Sequence, residues 1–284
     1  MTTTDHTVTP RPHSVGELLE WARTARPGAD PAGPTVTSAF HTHYGTRHTG
    51  RRGGYRNAVL SVRIGAAVGS CGIEPGTGDV DVLDDCVGAT VGQLLNHPQR
   101  AVRIAVLDAY LMHLRPHPSA GGATAELVEV AGANSLEKSR RRAEAVVGLL
   151  PPGVRCVLVV GVVGSLLAAL RDRGIAYYPC DLAGGRTEFD EHVYRDIAAA
   201  PPDYDALLVT GMTLGNDTFD PLLAEAAGRS LPLVLFAQTG SAVLPWFLGR
   251  GVTAVSAEPY PFFSLDGGPS TLYHYRHEGP PWTR

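Results

Sequence analysis

The sequence predicts an α/β protein, with a Rossmann-like parallel sheet in its C-terminal part and a smaller α+β unit of antiparallel strands plus helices before it. Two patterns carry this reading. From Val154 onward, short continuous apolar runs alternate with helical stretches, as in a parallel sheet covered on both faces. Between Thr35 and about Ile73, apolar residues alternate and are punctuated by glycine, as in antiparallel strands. Pro151-Pro152-Gly153 separates the two regimes, so the chain divides into a tail over 1–13, an α+β unit over 14–150 and a Rossmann-like unit over 154–284.

The elements follow in order. Met1 to Pro12 is Thr-rich without an apolar core, which reads as a disordered tail and not as a signal peptide. Ser14-Val-Gly-Glu17 has capping-box spacing and opens an amphipathic helix through Leu18, Leu19 and Trp21. Val36 to Phe40 and Tyr55 to Val62 suggest two or three strands, with Gly45 to Gly54 between them. Helical patterns cover Val87–Leu95 and Ala101–Leu114; the second has few polar gaps and is either core or the surface of a homodimer. A helix from about Ser135 to Leu150 is basic in its middle, at Arg140, Arg141 and Arg142. Arg155–Val160, Ile175–Cys180, Ala206–Val209, Leu233–Ala237 and Val252–Ser256 are the parallel strands. Ser165–Arg173, Phe189–Ala198, Pro221–Ala227 and Ser241–Leu248 are the intervening helices, the third capped by Thr218 or Asp220 and closed by Gly228.

Composition narrows the function. A net charge of −4 over 284 residues leaves no basic footprint for nucleic acid. No apolar run reaches the roughly 18 residues that a membrane span needs. Cys71, Cys86, Cys156 and Cys180 are scattered without a CxxC pair, which suits a reducing cytoplasm. A small-molecule ligand is the partner that remains.

Four features point to where that ligand sits. Gly161-Val-Val-Gly164-Ser165 turns from the first parallel strand into its helix, where small residues admit a ligand to free N–H groups. Asp181 closes the second strand, 20 residues on, where an acid accepts from a ribose diol. Only two of the three fingerprint glycines are present, which disfavours a pyrophosphate and favours a phosphate-free nucleoside such as S-adenosylmethionine (SAM). At the same sheet edge, the Thr210–Thr218 loop offers Thr210, Gly211, Thr213, Asn216 and Asp217, and Gln238-Thr-Gly-Ser241 follows the fourth strand. Thr213 and Asn216 are the catalytic candidates; Gly161, Gly164, Ser165, Asp181, Thr210, Gly211, Gln238 and Ser241 are the cofactor-binding ones. Arg51, Arg52 and Arg56, in a Gly-rich loop, are candidates to close over an anionic substrate. His41 and His43 alternate along a strand and form a candidate metal pair, lacking an evident third ligand unless Cys71 or Glu74 supplies it. His274 and His277 form another HxxH pair in a C-terminal segment too irregular to place.

The run Val209-Thr-Gly-Met-Thr-Leu-Gly-Asn-Asp-Thr-Phe-Asp-Pro-Leu-Leu223 resembles the signature of the heavy-metal chelation family, in which a Rossmann-like domain follows a domain resembling the enolase N-terminal domain. Val243-Leu-Pro245 with Gly249-Arg-Gly251 also resemble that family, and the helix Arg103–Ala109, with Asp108 where the family has Asn, resembles it more weakly. The resemblance implies a ligand site between the two units and a link to metals, without a settled reaction. The expected function is an enzyme that binds a SAM-type ligand and acts on an amino-acid-like metabolite, by group transfer or intramolecular cyclisation, in specialised or metallophore metabolism. A non-catalytic protein that binds a heavy metal or metal complex is the alternative. A NAD-dependent oxidoreductase ranks last, given the incomplete glycine fingerprint.

Overall fold

A computed structural model describes residues 12–48, 54–74, 82–277 and 279. Residues 1–11 of the N-terminal tail therefore lie outside the described residues, as do Arg51 and Arg52. The chain is a mixed α/β fold with a three-stranded antiparallel sheet and a seven-stranded, mostly parallel sheet.

Helix α1 (Val15–Arg23) starts where the sequence places it. Ser14 accepts the Glu17 N–H at 3.1 Å, and Glu17 reaches back to the His13 N–H at 2.8 Å. Strands β1 (Ser38–Thr46), β2 (Tyr55–Ile64) and β3 (Ala67–Ile73) form the small sheet in the order β1-β2-β3. The expected helix over 87–95 is broken into α2 (Leu83–Cys86) and α3 (Val91–Leu94). Gly88 lies between them at φ +83, and Thr90 begins a fresh capping box with Gln93. Helix α4 (Arg100–Leu114) is buried from Ile104 through Leu111, so it is core. It lies directly on β3 at Gly69, where a Cβ would overlap the backbone nitrogen of Ala109 and stand 2.6 Å from its Cα.

Strand β4 (Glu126–Val130) and helix α5 (Ser135–Val147) belong to the larger sheet layer, although the sequence reading puts them with the N-terminal unit. Five parallel strands follow: β5 (Cys156–Val160), β6 (Ala176–Cys180), β7 (Ala206–Thr210), β8 (Leu233–Ala237) and β9 (Ala254–Ala257). Helix α6 (Gly164–Asp172) connects the first two and α7 (Phe219–Arg229) joins β7 to β8. Residues 270–276, which the sequence leaves unplaced, form β10 (Ser270–Arg276), antiparallel to both β4 and β9. The full order is β4-β10-β9-β8-β7-β5-β6. Its parallel part reads 2-1-3-4-5 in local numbering, the doubly wound order whose switch point lies between β5 and β7.

Two more expected helices do not form, and a third runs longer than expected. Residues 189–198 form a bridged loop ending in a short 3₁₀ turn, Ile197–Ala199. Thr187 Oγ1 accepts the N–H groups of Phe189 and Glu191, both at 3.2 Å, and Asp190 sits at φ +65. The donors that a helix would need are thereby taken by a side chain. Residues 241–248 contain only a 3₁₀ turn, Leu244–Phe247, with Pro245 at its start. Helix α7 runs past Gly228 and ends at Ser230, φ +54; of the two cap candidates Thr218 takes the N-cap position, while the Asp220 carboxylate holds the Val15 N–H of α1 at 2.9 Å.

Side chains alternate across the sheet. Val157, Val159, Leu208 and Val234 face α5 and α6, while Leu158, Leu207, Val209 and Leu235 join a core that extends through α7 to α4 and α1. The small sheet and the large one thus share one continuous apolar interior. Among the described residues, no helix is long and apolar enough to cross a membrane.

Candidate functional site

The carboxyl ends of β5, β6, β7 and β8 open into a cavity of about 1140 Å³ whose opposite wall is the small sheet. It lies at the switch point, where open α/β sheets bind ligands. Gly161, Val162 and Val163 line it after β5, Asp181 and Leu182 after β6, Thr210, Met212, Thr213 and Asn216 after β7, and Gln238 and Thr239 after β8. Tyr44, Tyr55, Arg56 and Asn57 enter from β1 and β2, and Gly72 to Glu74 from the end of β3.

The sequence candidates separate into two groups. Gly161, Asp181, Thr210, Thr213, Asn216, Gln238 and Arg56 share this cavity. Gly164, Ser165, Gly211 and Ser241 do not line it. Ser165 is buried and its Oγ accepts from Ser139 of α5 at 3.0 Å, so it serves helix packing. Gly211 is pressed against Ala237 and the Thr239 carbonyl, and Ser241 is fully buried. Gly164 faces Glu188: a Cβ there would overlap that carboxylate, with Cδ 2.9 Å away. An acidic side chain thus stands at the start of α6, where a phosphate would otherwise be favoured.

Each candidate inside the cavity has a local job. Gly161 takes φ +89 against the Thr210 side chain, a conformation and a closeness that require glycine. Asp181 organises the turn around it: its carboxylate accepts the N–H of Val162 at 3.1 Å and that of Ala183 at 3.0 Å, one on each oxygen. Each oxygen keeps a further acceptor site for a ligand hydroxyl. Thr213 is buried and its hydroxyl donates to the Thr210 carbonyl at 2.8 Å, leaving it an acceptor toward the cavity. Asn216 is a strut between the sheets. Its amide donates to Glu74 at 3.0 Å while its oxygen takes the Thr218 hydroxyl at 2.6 Å.

His41 and His43 do point the same way along β1, with ring centroids 6.1 Å apart and edge-on, and His43 reaches the cavity wall. Cys71 is buried beside Gly215, and burial pushes its thiol up to about 12, so it stays a thiol. Among the described residues no group of three or more His, Cys, Asp or Glu stands close enough to hold a metal ion. His274, in β10, is buried.

Sequence reasoning missed the most constrained charge in the cavity. Arg142 of α5 is 4% exposed and lines the wall. Glu258, 2% exposed, binds its Nε at 2.7 and 2.9 Å and its Nη2 at 2.7 Å. Burial alone would push the guanidinium pKa down, but the Glu258 charge more than offsets this, and the net shift is upward. Gln238 joins the group, donating to Glu258 over 3.5 Å and accepting the Tyr44 hydroxyl at 3.1 Å. The signal was present in the sequence: Arg142 falls in the stripe Ser139, Ala143, Val146, Val147 that faces the sheet, whereas Arg141 faces out.

No family model matches the chain, and no curated protein matches it. In solved structures the fold is similar to a protein of unknown function from the DUF364 family from Desulfitobacterium hafniense DCB-2, at TM-score 0.57 and 13% identity, covering 92% of this chain and 97% of that one. A second protein of unknown function from the same family, from Pyrococcus horikoshii, is similar at TM-score 0.52 and 12% identity, covering 91% and 98%. At these identities the likeness speaks for the fold, across both sheets.

Proposed function

We propose that this protein is a small-molecule enzyme that binds a SAM-type adenosyl ligand in the cleft between the two sheets and acts on an amino-acid-like metabolite, by group transfer or intramolecular cyclisation. The observation that carries the reading is the pairing of Asp181 with the Gly161 turn at the switch-point edge of one cavity. Asp181 retains acceptor capacity for a ribose diol, and Gly161 lets the nucleoside approach the backbone. Glu188 against Gly164 supports a ligand without phosphates at the start of α6. A pyrophosphate would meet that carboxylate, whereas a sulfonium cation is favoured near Asp181 and Glu74, both on the cavity wall.

A sulfonium is already activated toward displacement, so the protein's work is to orient the nucleophile and exclude water. Met212, Phe236 and Phe263 supply apolar wall for that purpose, and the small sheet closes the cavity from above. A cavity of about 1140 Å³ lies above the usual range for one drug-sized ligand, roughly 300–1000 Å³. It has room for a ligand and a second reactant.

Calorimetric titration with SAM, S-adenosylhomocysteine and NAD tests the reading. Saturable binding of the adenosyl amino acids is expected, weakened at least ~10-fold (about 1.4 kcal/mol) by Asp181→Ala, with NAD much weaker. Flat titrations with both adenosyl amino acids would refute it.

A further inference from the structure

One cation in the cavity is built into the protein more firmly than packing requires. Arg142 carries five N–H donors in a planar fork. Glu258 engages the Nε and Nη2 side of that fork, and among the described residues no acceptor takes the Nη1 hydrogens. The remaining edge, Nη1 with the second Nη2 hydrogen, has the geometry that receives a carboxylate through two parallel hydrogen bonds. No Arg142 nitrogen is among the buried side-chain atoms left without a partner, so this edge opens on the cavity, where a ligand can accept from it.

The surroundings hold the fork still. The Phe263 ring centroid lies 4.8 Å from the guanidinium carbon and that of Phe236 5.7 Å. One turn earlier on α5, Lys138 donates to the carbonyls of Phe263, Asp266 and Gly268 at 2.9, 2.8 and 2.6 Å. That clamp fixes the segment bearing Phe263. On the other side, Glu258 is steadied by Gln238, which Tyr44 in turn holds. Aromatic walls with one oriented fork suit a flat or apolar body carrying one anionic end. Because Glu258 already neutralises one charge, the site favours a singly charged carboxylate over a phosphate dianion.

We infer that Arg142, held by Glu258, is the anchor of a carboxylate subsite in this cavity, and that a ligand of the protein is an acid with an apolar body. The inference rests on reading the cleft as a ligand site, and it does not depend on the adenosyl ligand. Asp181 and Gln238 follow strands three spacings apart, roughly 14 Å at ~4.8 Å per spacing. The carboxylate therefore belongs either to the far end of the adenosyl amino acid or to a separate acid.

The test compares benzoate with benzamide, its neutral counterpart of the same shape, by calorimetry on the full chain. Benzoate should bind at least ~10-fold more tightly, a gap of about 1.4 kcal/mol. In the charge-neutral double variant Arg142→Met/Glu258→Met the ratio should fall to near one. Equal binding of the two probes to the unaltered protein would overturn the inference, as would a ratio that survives in the double variant. Inorganic phosphate binding as tightly as benzoate would overturn the carboxylate assignment. If the double variant does not fold, crystals of the unaltered protein soaked in 4-iodobenzoate decide: the anomalous iodine should lie in the cavity with the carboxylate on Arg142, and a probe bound elsewhere refutes it. Benzoate that binds together with S-adenosylhomocysteine identifies a separate acid. Benzoate displaced by S-adenosylhomocysteine, but not by 5′-methylthioadenosine, identifies the ligand's own arm. Failure of every adenosyl compound to bind would remove the proposed function while leaving the benzoate contrast to judge this subsite.

Discussion

Replacing Asp108 by asparagine should shift the pH dependence of stability in a direction opposite to that usual for a carboxylate. Asp108 lies in α4 and is 1% exposed. Its Oδ2 accepts the Ser70 N–H of β3 at 2.8 Å, and its Oδ1 accepts the Ala242 N–H after β8 at 2.7 Å, so it clasps the small sheet to the large one. Burial pushes its carboxyl up from 3.8 to about 7, against the pull of these backbone donors. The folded state therefore holds its proton more tightly than the unfolded chain. This stabilisation is fully present below pH 3.8 and is lost as pH rises through about 7. A rise of about three pH units corresponds to ~4 kcal/mol in total, close to 1.4 kcal/mol per unit within the window. Asparagine is neutral throughout and lacks this slope, although its amide nitrogen opposes one N–H donor at a pH-independent cost of about 1–3 kcal/mol. Urea unfolding followed by circular dichroism at about pH 5 and about pH 8 should show the difference between the two chains moving by ~2–3 kcal/mol in favour of Asp108→Asn at the higher pH. The comparison cancels the other titrations. Parallel pH profiles for the two proteins would refute the reasoning.

Two more expectations follow from packing. Gly69→Ala should cost at least ~3 kcal/mol or prevent folding, because the added methyl would run into the backbone of α4 at Ala109, which no rotamer change can relieve. Gly228→Ala, inside α7 with no atom near its Cβ, is the control and should be neutral or stabilising by about 1 kcal/mol in thermal unfolding. Burial pushes the imidazoles of His117 and His274 down to about 4, with Arg276 adding to the shift at His274. Both rings should stay neutral in NMR titrations from about pH 8 to about pH 5, and a midpoint near the free value of about 6.5 in either would contradict their burial.

The parallel strands were legible because each is a short, largely apolar run, buried on both faces in all but the edge strand β6, and the loops at their carboxyl ends are conspicuously small and polar. That pattern located Gly161, Asp181, Thr210, Thr213, Asn216 and Gln238 in one cavity. Local readings failed where a side chain competed with the backbone. Thr187 captured the donors of a segment with helical periodicity, and Gly88 with Thr90 split another. Ser165, Gly211 and Ser241 are small and polar like their neighbours, yet the strand-to-helix geometry turns them inward. Composition alone cannot tell a small polar residue that meets a ligand from one that meets a helix.

Arg142 fails a different test, and its case bears on how the site works. A lone arginine in a run of three reads as a solvated helix face, since charged side chains are seldom buried without a partner. Its partner Glu258 follows β9, 116 residues away, and no spacing rule connects them. The fold brings them together: Arg142 of α5 lies against Phe236 of β8 and meets Glu258 just after β9. Had stability alone shaped this position, two apolar residues of similar volume would serve as well or better. The pair instead places a half-satisfied guanidinium at a cavity wall, with Lys138, Phe263 and Gln238 arranged to keep it there. A cation held in one orientation with an open edge on the cavity wall is suited to an anion that arrives from outside the chain. This is why the carboxylate probe, more than any packing variant, bears on what the protein does.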